Sequence, residues 1–211
     1  DRTKIYRGPS NSKRKVDKRR ITVWTVGHST RPVADFITLL QAQGIEQLVD
    51  VRTIPRSRHN PQFNQDQLPE SLKEAGIDYL HIPGLGGLRH ARRDSVNTAW
   101  RNASFRGFAD YMQTSEFDVA LNELIRLARH RRTAIMCAEA VPWRCHRSLI
   151  ADALLVRGVH VEEIASETST RPHTLTPWSS VVGERITYPS VPVHPDAKGG
   201  EIDTQDRSVK S

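Results

Sequence analysis

Five short apolar runs recur along the chain, and segments with helical spacing lie between them. The runs are ITVWTVGH (21–28), QLVDVR (47–52), DYLHIP (78–83), TAIMCAE (133–139) and VHVEEIA (159–165). The intervening helices read PVADFITLLQAQG (32–44), QDQLPESLKEAG (65–76), SEFDVALNELIRLARH (115–130) and HRSLIADALLVRG (146–158). Gly44, Gly76 and Gly158 supply stop signals, and Phe117, Leu121, Leu124 and Ile125 repeat at the period of one helix face. Short Val/Ile-rich strands alternating with helices constrain the fold strongly. They call for a mainly parallel sheet buried under helices on both faces. The expectation is one Rossmann-like α/β domain over residues 21–182 with a mainly parallel five-stranded sheet.

In such a sheet every parallel strand delivers its C-terminal loop to the same edge, where ligands bind. The chemically versatile residues stand in those loops. GHST (27–30) follows the first strand and RTIPRSRHNPQF (52–63) the second. HIPGLGGLRHARR (81–93) follows the third and AEAVPWRCHR (138–147) the fourth. Gly27, His28, Ser29 and Thr30 lead into a helix whose free N–H groups suit an anion, while Thr30 also fits a helix N-cap. Asp50 and Arg52 close the second strand, and Arg52, Arg56 and Arg58 form a phosphate or carboxylate clamp. Gly86 and Gly87 give flexible backbone ahead of a second basic cluster, suited to a lid or to a loop that meets a polyanion.

Both cysteines fall in the fourth loop region, MCAEAVPWRCHRSLIAD (136–152). Cys137 lies within a strand and reads by default as a small buried hydrophobe. Cys145 opens a helix beside Arg144, His146 and Arg147, where a thiol pKa falls. Glu139 is placed for acid–base work or for pairing with an arginine, and Trp143 offers a face on which a base can stack. Adjacent Cys145 and His146 chelate one metal poorly, so no metal site and no cofactor are expected.

Charge is unevenly spread. Nine of the 31 Lys/Arg and two of the 24 Asp/Glu fall in residues 1–20, leaving 22 of each sign in the rest. Residues 1–20 read as a basic disordered arm able to add salt-sensitive affinity for nucleic acid, or as a solvated leader. Residues 183–211, rich in Pro, Gly, Ser and charge, read as a flexible C-terminal tail. No apolar run approaches the roughly 18 residues of a membrane span, so the expected location is the cytoplasm and no membrane partner is expected.

The ordered series GHST, DVR with trailing prolines and arginines, LGG, and CAE…CHR resembles the bacterial and archaeal family called Domain of Unknown Function 488. The resemblance spans about residues 21–178, including HTLTPW (173–178). It implies a Rossmann-like fold without implying an activity. Its signature falls on Gly27, His28, Ser29, Asp50, Arg52, Pro55, Gly86, Gly87, Cys137, Glu139, Cys145, His146 and Arg147.

Three functions compete. The first is an enzyme on nucleic acid or a nucleotide, repairing or processing modified bases. Either Glu139 or Asp50 activates water, or Cys145 acts as nucleophile with Cys137 and His146 beside it. Arg52, Arg56, Arg58, Arg147 and Trp143 bind the substrate. The second is a small-molecule thiol enzyme, a sulfurtransferase or redox protein. The third is a noncatalytic nucleotide-binding or nucleic-acid-binding module. The sequence favours the first and identifies no protein partner.

Overall fold

The computed structural model describes residues 20–190. Residues 1–19 of the basic arm and 191–211 of the expected tail lie outside the described residues. Among the described residues there are eight strands: β1 (Thr22–Gly27), β2 (Gln47–Asp50), β3 (Asp78–His81), β4 (Thr133–Cys137), β5 (His160–Ser166), β6 (Ser169–Pro172), β7 (Ser180–Val182) and β8 (Arg185–Thr187). Five α-helices join them: α1 (Val33–Ala42), α2 (Leu68–Glu74), α3 (Ala103–Tyr111), α4 (Ser115–Ala128) and α5 (Arg147–Val156).

The main sheet has six strands in the order β3-β2-β4-β1-β5-β6. The first five in that order run parallel, as their register shows. The sheet is therefore Rossmann-like, with one strand more than the five expected. The addition is β6, which pairs antiparallel with β5. Its sequence, STRP, has no apolar alternation because it is a mostly exposed edge strand, and the β5 backbone holds it in place.

Alternation of side chains across the pleat divides the core in two. Val23, Val49 and Ile135 pack with Leu121, Leu124, Leu149 and Ile150 of α4 and α5. Trp24, Val26, Leu48 and Met136 pack with Phe36, Leu40, Leu68 and Leu72 of α1 and α2. Right-handed crossovers explain the split. The chain moves one way across the sheet from β1 to β3 and the other way from β3 through β4 to β5. Helices leaving β4 and its neighbours β1 and β2 thus diverge to opposite faces, which opens a crevice at the C-terminal edge.

Helix α3 is absent from the sequence reading. It begins at an Asn102 cap whose side chain accepts from Ser104 and Phe105 N–H. Its Gly107 conceals it from propensity, yet a Cβ there would lie 2.4 Å from the Arg89 carbonyl oxygen. The loop before α3 crosses that glycine.

The tail expected from residue 183 is corrected over 183–190. Gly183 turns the β7–β8 hairpin, Ile186 is buried, and Tyr188 is fully buried. Tyr188 donates to Asp152 Oδ2 on α5 at 2.8 Å. His173 joins the same clasp, 2.9 Å from both Asp152 Oδ1 and Glu163 Oε1. Burial works against the charged imidazole, but hydrogen bonds to Asp152 and Glu163 overcome it and raise its pKa to about 9. Among the described residues no helix is long and apolar enough to cross a membrane.

Candidate functional site

The crevice holds a cavity of about 400 Å³. Cys137, Glu139, Cys145 and His146 line it on the β4–α5 side, and Arg52, Thr53, Ile54 and Arg56 on the β2 side. Leu88, Phe105 and Arg144 complete much of the rest. Three of the four polar loops thus meet around one space.

Its β4–α5 corner is built on Arg147, only 1% exposed. Nε donates to Cys137 Sγ at 3.0 Å, Nη1 to Thr25 Oγ1 at 2.5 Å and Nη2 to the Glu139 carbonyl oxygen at 2.7 Å. All of these acceptors are formally neutral, and among the described residues no carboxylate forms an ion pair with Arg147. A buried cation without a counter-charge is costly. The groups able to supply one are the sulfurs. Cys137 and Cys145 are free thiols with Sγ atoms 2.6 Å apart.

Cys145 precedes α5, and the Arg147 main-chain N–H lies 3.5 Å from its sulfur. The Cys137 hydrogen bond lowers the Cys145 pKa to about 6 against the effect of burial, with Arg147 adding to the fall. Burial pushes the Cys137 thiol the other way. The two shifts run in opposite directions, down for Cys145 and up for Cys137, so the pair favours a single negative charge on the Cys145 side. The two sulfurs raise the Arg147 pKa in spite of its burial.

His146 Nε2 lies 3.0 Å from the Val51 carbonyl oxygen, so Nε2 carries the hydrogen. Nδ1 then faces Cys145 Sγ at 3.6 Å as an acceptor. Burial lowers the pKa of His146, which keeps the ring neutral and able to take a thiol proton. Two glycines make room for this corner. A Cβ at Gly27 would stand 1.9 Å from the Glu139 carbonyl oxygen, and one at Gly87 would stand 2.5 Å from His146 Nδ1.

The opposite corner is already neutralised. Asp50, fully buried, receives Arg52 Nε at 3.0 Å and Nη2 at 2.6 Å, together with the Tyr79 hydroxyl at 2.7 Å. Arg52 also reaches the Phe63 carbonyl oxygen and His28 Nε2. His28 stacks on Phe63 at 4.1 Å between ring centres, and burial lowers its pKa to about 4. Asp50 is thus committed to its partners and does not line the cavity, a poor position for activating water.

The other sequence candidates divide similarly. Glu139 lines the cavity, but its carboxylate accepts from Val141 N–H, and only its main-chain oxygen meets Arg147. His28 and Ser29 N–H groups bond to the Cys137 and Ala138 carbonyl oxygens, so they are not open to an anion. Ser29 takes a φ of 53° to make that turn. Thr30 is exposed and does not cap α1, whose cap position is Pro32. Arg56 is an exposed residue of the cavity mouth, whereas Arg58 is exposed away from the wall. Trp143 is 68% exposed on the turn beside Arg144 and is not part of the cavity wall.

Gly86 packs against Thr53, and Arg89 fixes the following loop to the Gly86 carbonyl oxygen and stacks on Tyr111. These contacts tie the start of the segment, for which a lid or a loop meeting a polyanion was expected, to its neighbours. Sequence reasoning missed Thr25, Ile54, Leu88 and Phe105. Thr25 was detectable, since period-two alternation puts it on the Val23 face of β1 beside α5. The other three sit in loops or on the unrecognised α3 and gave no signal.

A family model described as Domain of unknown function DUF488 matches residues 32–154. The match includes DVR, LGG and CAE…CHR but leaves GHST and HTLTPW outside its span. No curated protein and no solved structure matches the chain.

Proposed function

The chain belongs to the family described as Domain of unknown function DUF488, and we propose that it is a thiolate enzyme acting on a nucleotide or on a modified base in nucleic acid. Cys145 is the nucleophile. The observation that carries this reading is Arg147, buried without a carboxylate and bonded to a cysteine sulfur. Its charge is best balanced by a thiolate, and Cys145 is the sulfur favoured to ionise. His146 Nδ1 serves as proton acceptor for the fraction of Cys145 that remains a thiol.

The cavity wall suggests the substrate class. Ile54, Leu88 and Phe105 offer apolar surface to a flat ring, and Arg56 and Arg144 suit a phosphate at the mouth. Trp143 adds an exposed stacking face on the same turn. The basic residues 1–20 supply a longer-range attraction for a polyanion. Processing or repair of a modified base follows if Cys145 removes the modifying group. A free dithiol persists where thiols are kept reduced, which supports a cytoplasmic location. Hydrolysis through Asp50 has less support, because Asp50 is occupied by Arg52.

The test is protection and transfer. Nucleoside monophosphates should slow alkylation of Cys145, and base-alkylated oligonucleotides should leave their group on it, read by peptide mass spectrometry. Cys145→Ser should abolish transfer while retaining nucleotide binding. No protection and no transfer would remove the nucleotide assignment. Activity that is unchanged in Cys145→Ser would exclude Cys145 as the nucleophile and leave a hydrolase.

A further inference from the structure

Arg147 touches two sulfurs but can balance only one negative charge. Its Nε lies 3.0 Å from Cys137 Sγ and its main-chain N–H 3.5 Å from Cys145 Sγ. Adjacent thiolates repel, so the pair carries a single charge at a time. That charge rests first on Cys145, at the entrance to α5. When Cys145 becomes bonded to an incoming group, the charge leaves the site while Arg147 stays buried and cationic. The guanidinium then favours ionisation of the remaining sulfur in contact with it. Glu139 N–H, 3.3 Å from Cys137 Sγ, points at the same atom. Cys137 is thus placed to become the second nucleophile, in contact with the sulfur it would attack.

We infer that Cys137 is the resolving thiol of a two-step thiol–disulfide exchange, and that the cavity accepts disulfides of small anionic thiols. This rests on the thiolate reading of Cys145 but not on the nucleotide assignment. In the first step the Cys145 thiolate attacks one sulfur of the substrate disulfide. The Cys145–substrate S–S bond forms, the substrate S–S bond breaks, and the departing thiolate takes the Cys137 proton. In the second step the Cys137 thiolate attacks Cys145 Sγ. The mixed disulfide breaks and the second substrate thiolate leaves. The substrate disulfide is reduced to its two thiol halves, and the enzyme dithiol is oxidised to a Cys137–Cys145 disulfide. Arg56 and Arg144 at the mouth suit carboxylates on the substrate, and the apolar walls suit its carbon chain.

The reduced full-length chain is mixed with oxidised glutathione and followed by intact mass and peptide mapping. The wild type should lose two hydrogens, join Cys137 to Cys145 and release both halves of the probe as thiols. Cys137→Ser, with Cys137→Ala as a second form, should stop at a stable glutathione adduct on Cys145. Arg147→Met should slow conversion of adduct to internal disulfide by about tenfold or more, and Arg147→Lys should restore part of the rate. A persistent Cys145 adduct in the wild type, or first attack by Cys137, would overturn the inference. If that adduct persists while Cys145 alkylates at low pH, the thiolate reading stands without it. If Cys145 reacts with neither reagent, both fall.

Discussion

Arg52 and Arg147 are both buried at the C-terminal edge of the sheet, 7% and 1% exposed, and they are neutralised in different ways. Arg52 grips the Asp50 carboxylate with Nε and Nη2 and adds the Phe63 carbonyl oxygen and His28. Every strong partner is permanent, so this corner is architecture that shapes the β2 loop. Arg147 instead ends on a threonine, a carbonyl oxygen and a cysteine. The groups beside it able to supply a counter-charge are two titratable sulfurs. A buried charge satisfied by fixed partners reports on stability, whereas one satisfied by a titratable sulfur marks where chemistry can occur.

Exchanging the two arginines' roles is the severest test. Arg52→Met strands Asp50 as a buried, unpaired carboxylate and should cost about 3–5 kcal/mol in denaturant unfolding. The pH at which Cys145 alkylation is half-maximal should hold in that variant. Arg147→Met should do the reverse to reactivity, moving that half-point from about 6 towards the free-thiol value of about 8.5. A shift in the first variant and none in the second would break the comparison.

Gly27→Ala reaches the reactive corner from β1. Its Cβ would stand 1.9 Å from the Glu139 carbonyl oxygen, the acceptor for Arg147 Nη2. Unfolding measurements should show a loss of about 3 kcal/mol, with an upward move of the Cys145 half-point.

His173 sharpens the contrast as a third, half-buried cation, held by Asp152 and Glu163. Its folded pKa is raised from 6.5 to about 9. Its stabilising contribution is therefore complete below 6.5 and is lost as pH rises through about 9. The unfolding free energy should fall across that window by an amount on the order of 1–2 kcal/mol, allowing for partial solvent screening. His173→Ala should flatten the dependence. Glu139→Gln should have the smallest effect, leaving the pH of half-maximal Cys145 alkylation in place. The main-chain oxygen of Glu139, not its carboxylate, holds Arg147.

The buried strands were legible because β1 and β4 are largely apolar runs and β2 carries Leu48 and Val49 followed by Val51, as a doubly covered sheet requires. β6 and the β7–β8 hairpin were not, since STRP and SVVGERIT depend on pairing and on Tyr188 docking rather than on local pattern. Helix α3 was obscured by Gly107, whose small size serves the crossing of Arg89–Ala91. Within the site, the sequence brought Cys137, Cys145, His146 and Arg147 together because they are close in the chain. It could not show that Glu139 would offer its carbonyl oxygen, or that Thr25 would reach Arg147 from a strand 122 residues away. It equally read Gly86 and Gly87 as mobility, where packing against Thr53 and His146 requires the missing side chain.

Ionisation of Cys145 beside Cys137 and Arg147 is read out by the pH dependence of alkylation in the reduced wild-type chain, followed separately at each cysteine. The account predicts a Cys145 rate half-maximal near 6, with Cys137 silent over the same range. A Cys145 rate that rises only around the ordinary thiol value of about 8.5, or a Cys137 that reacts first, would contradict it.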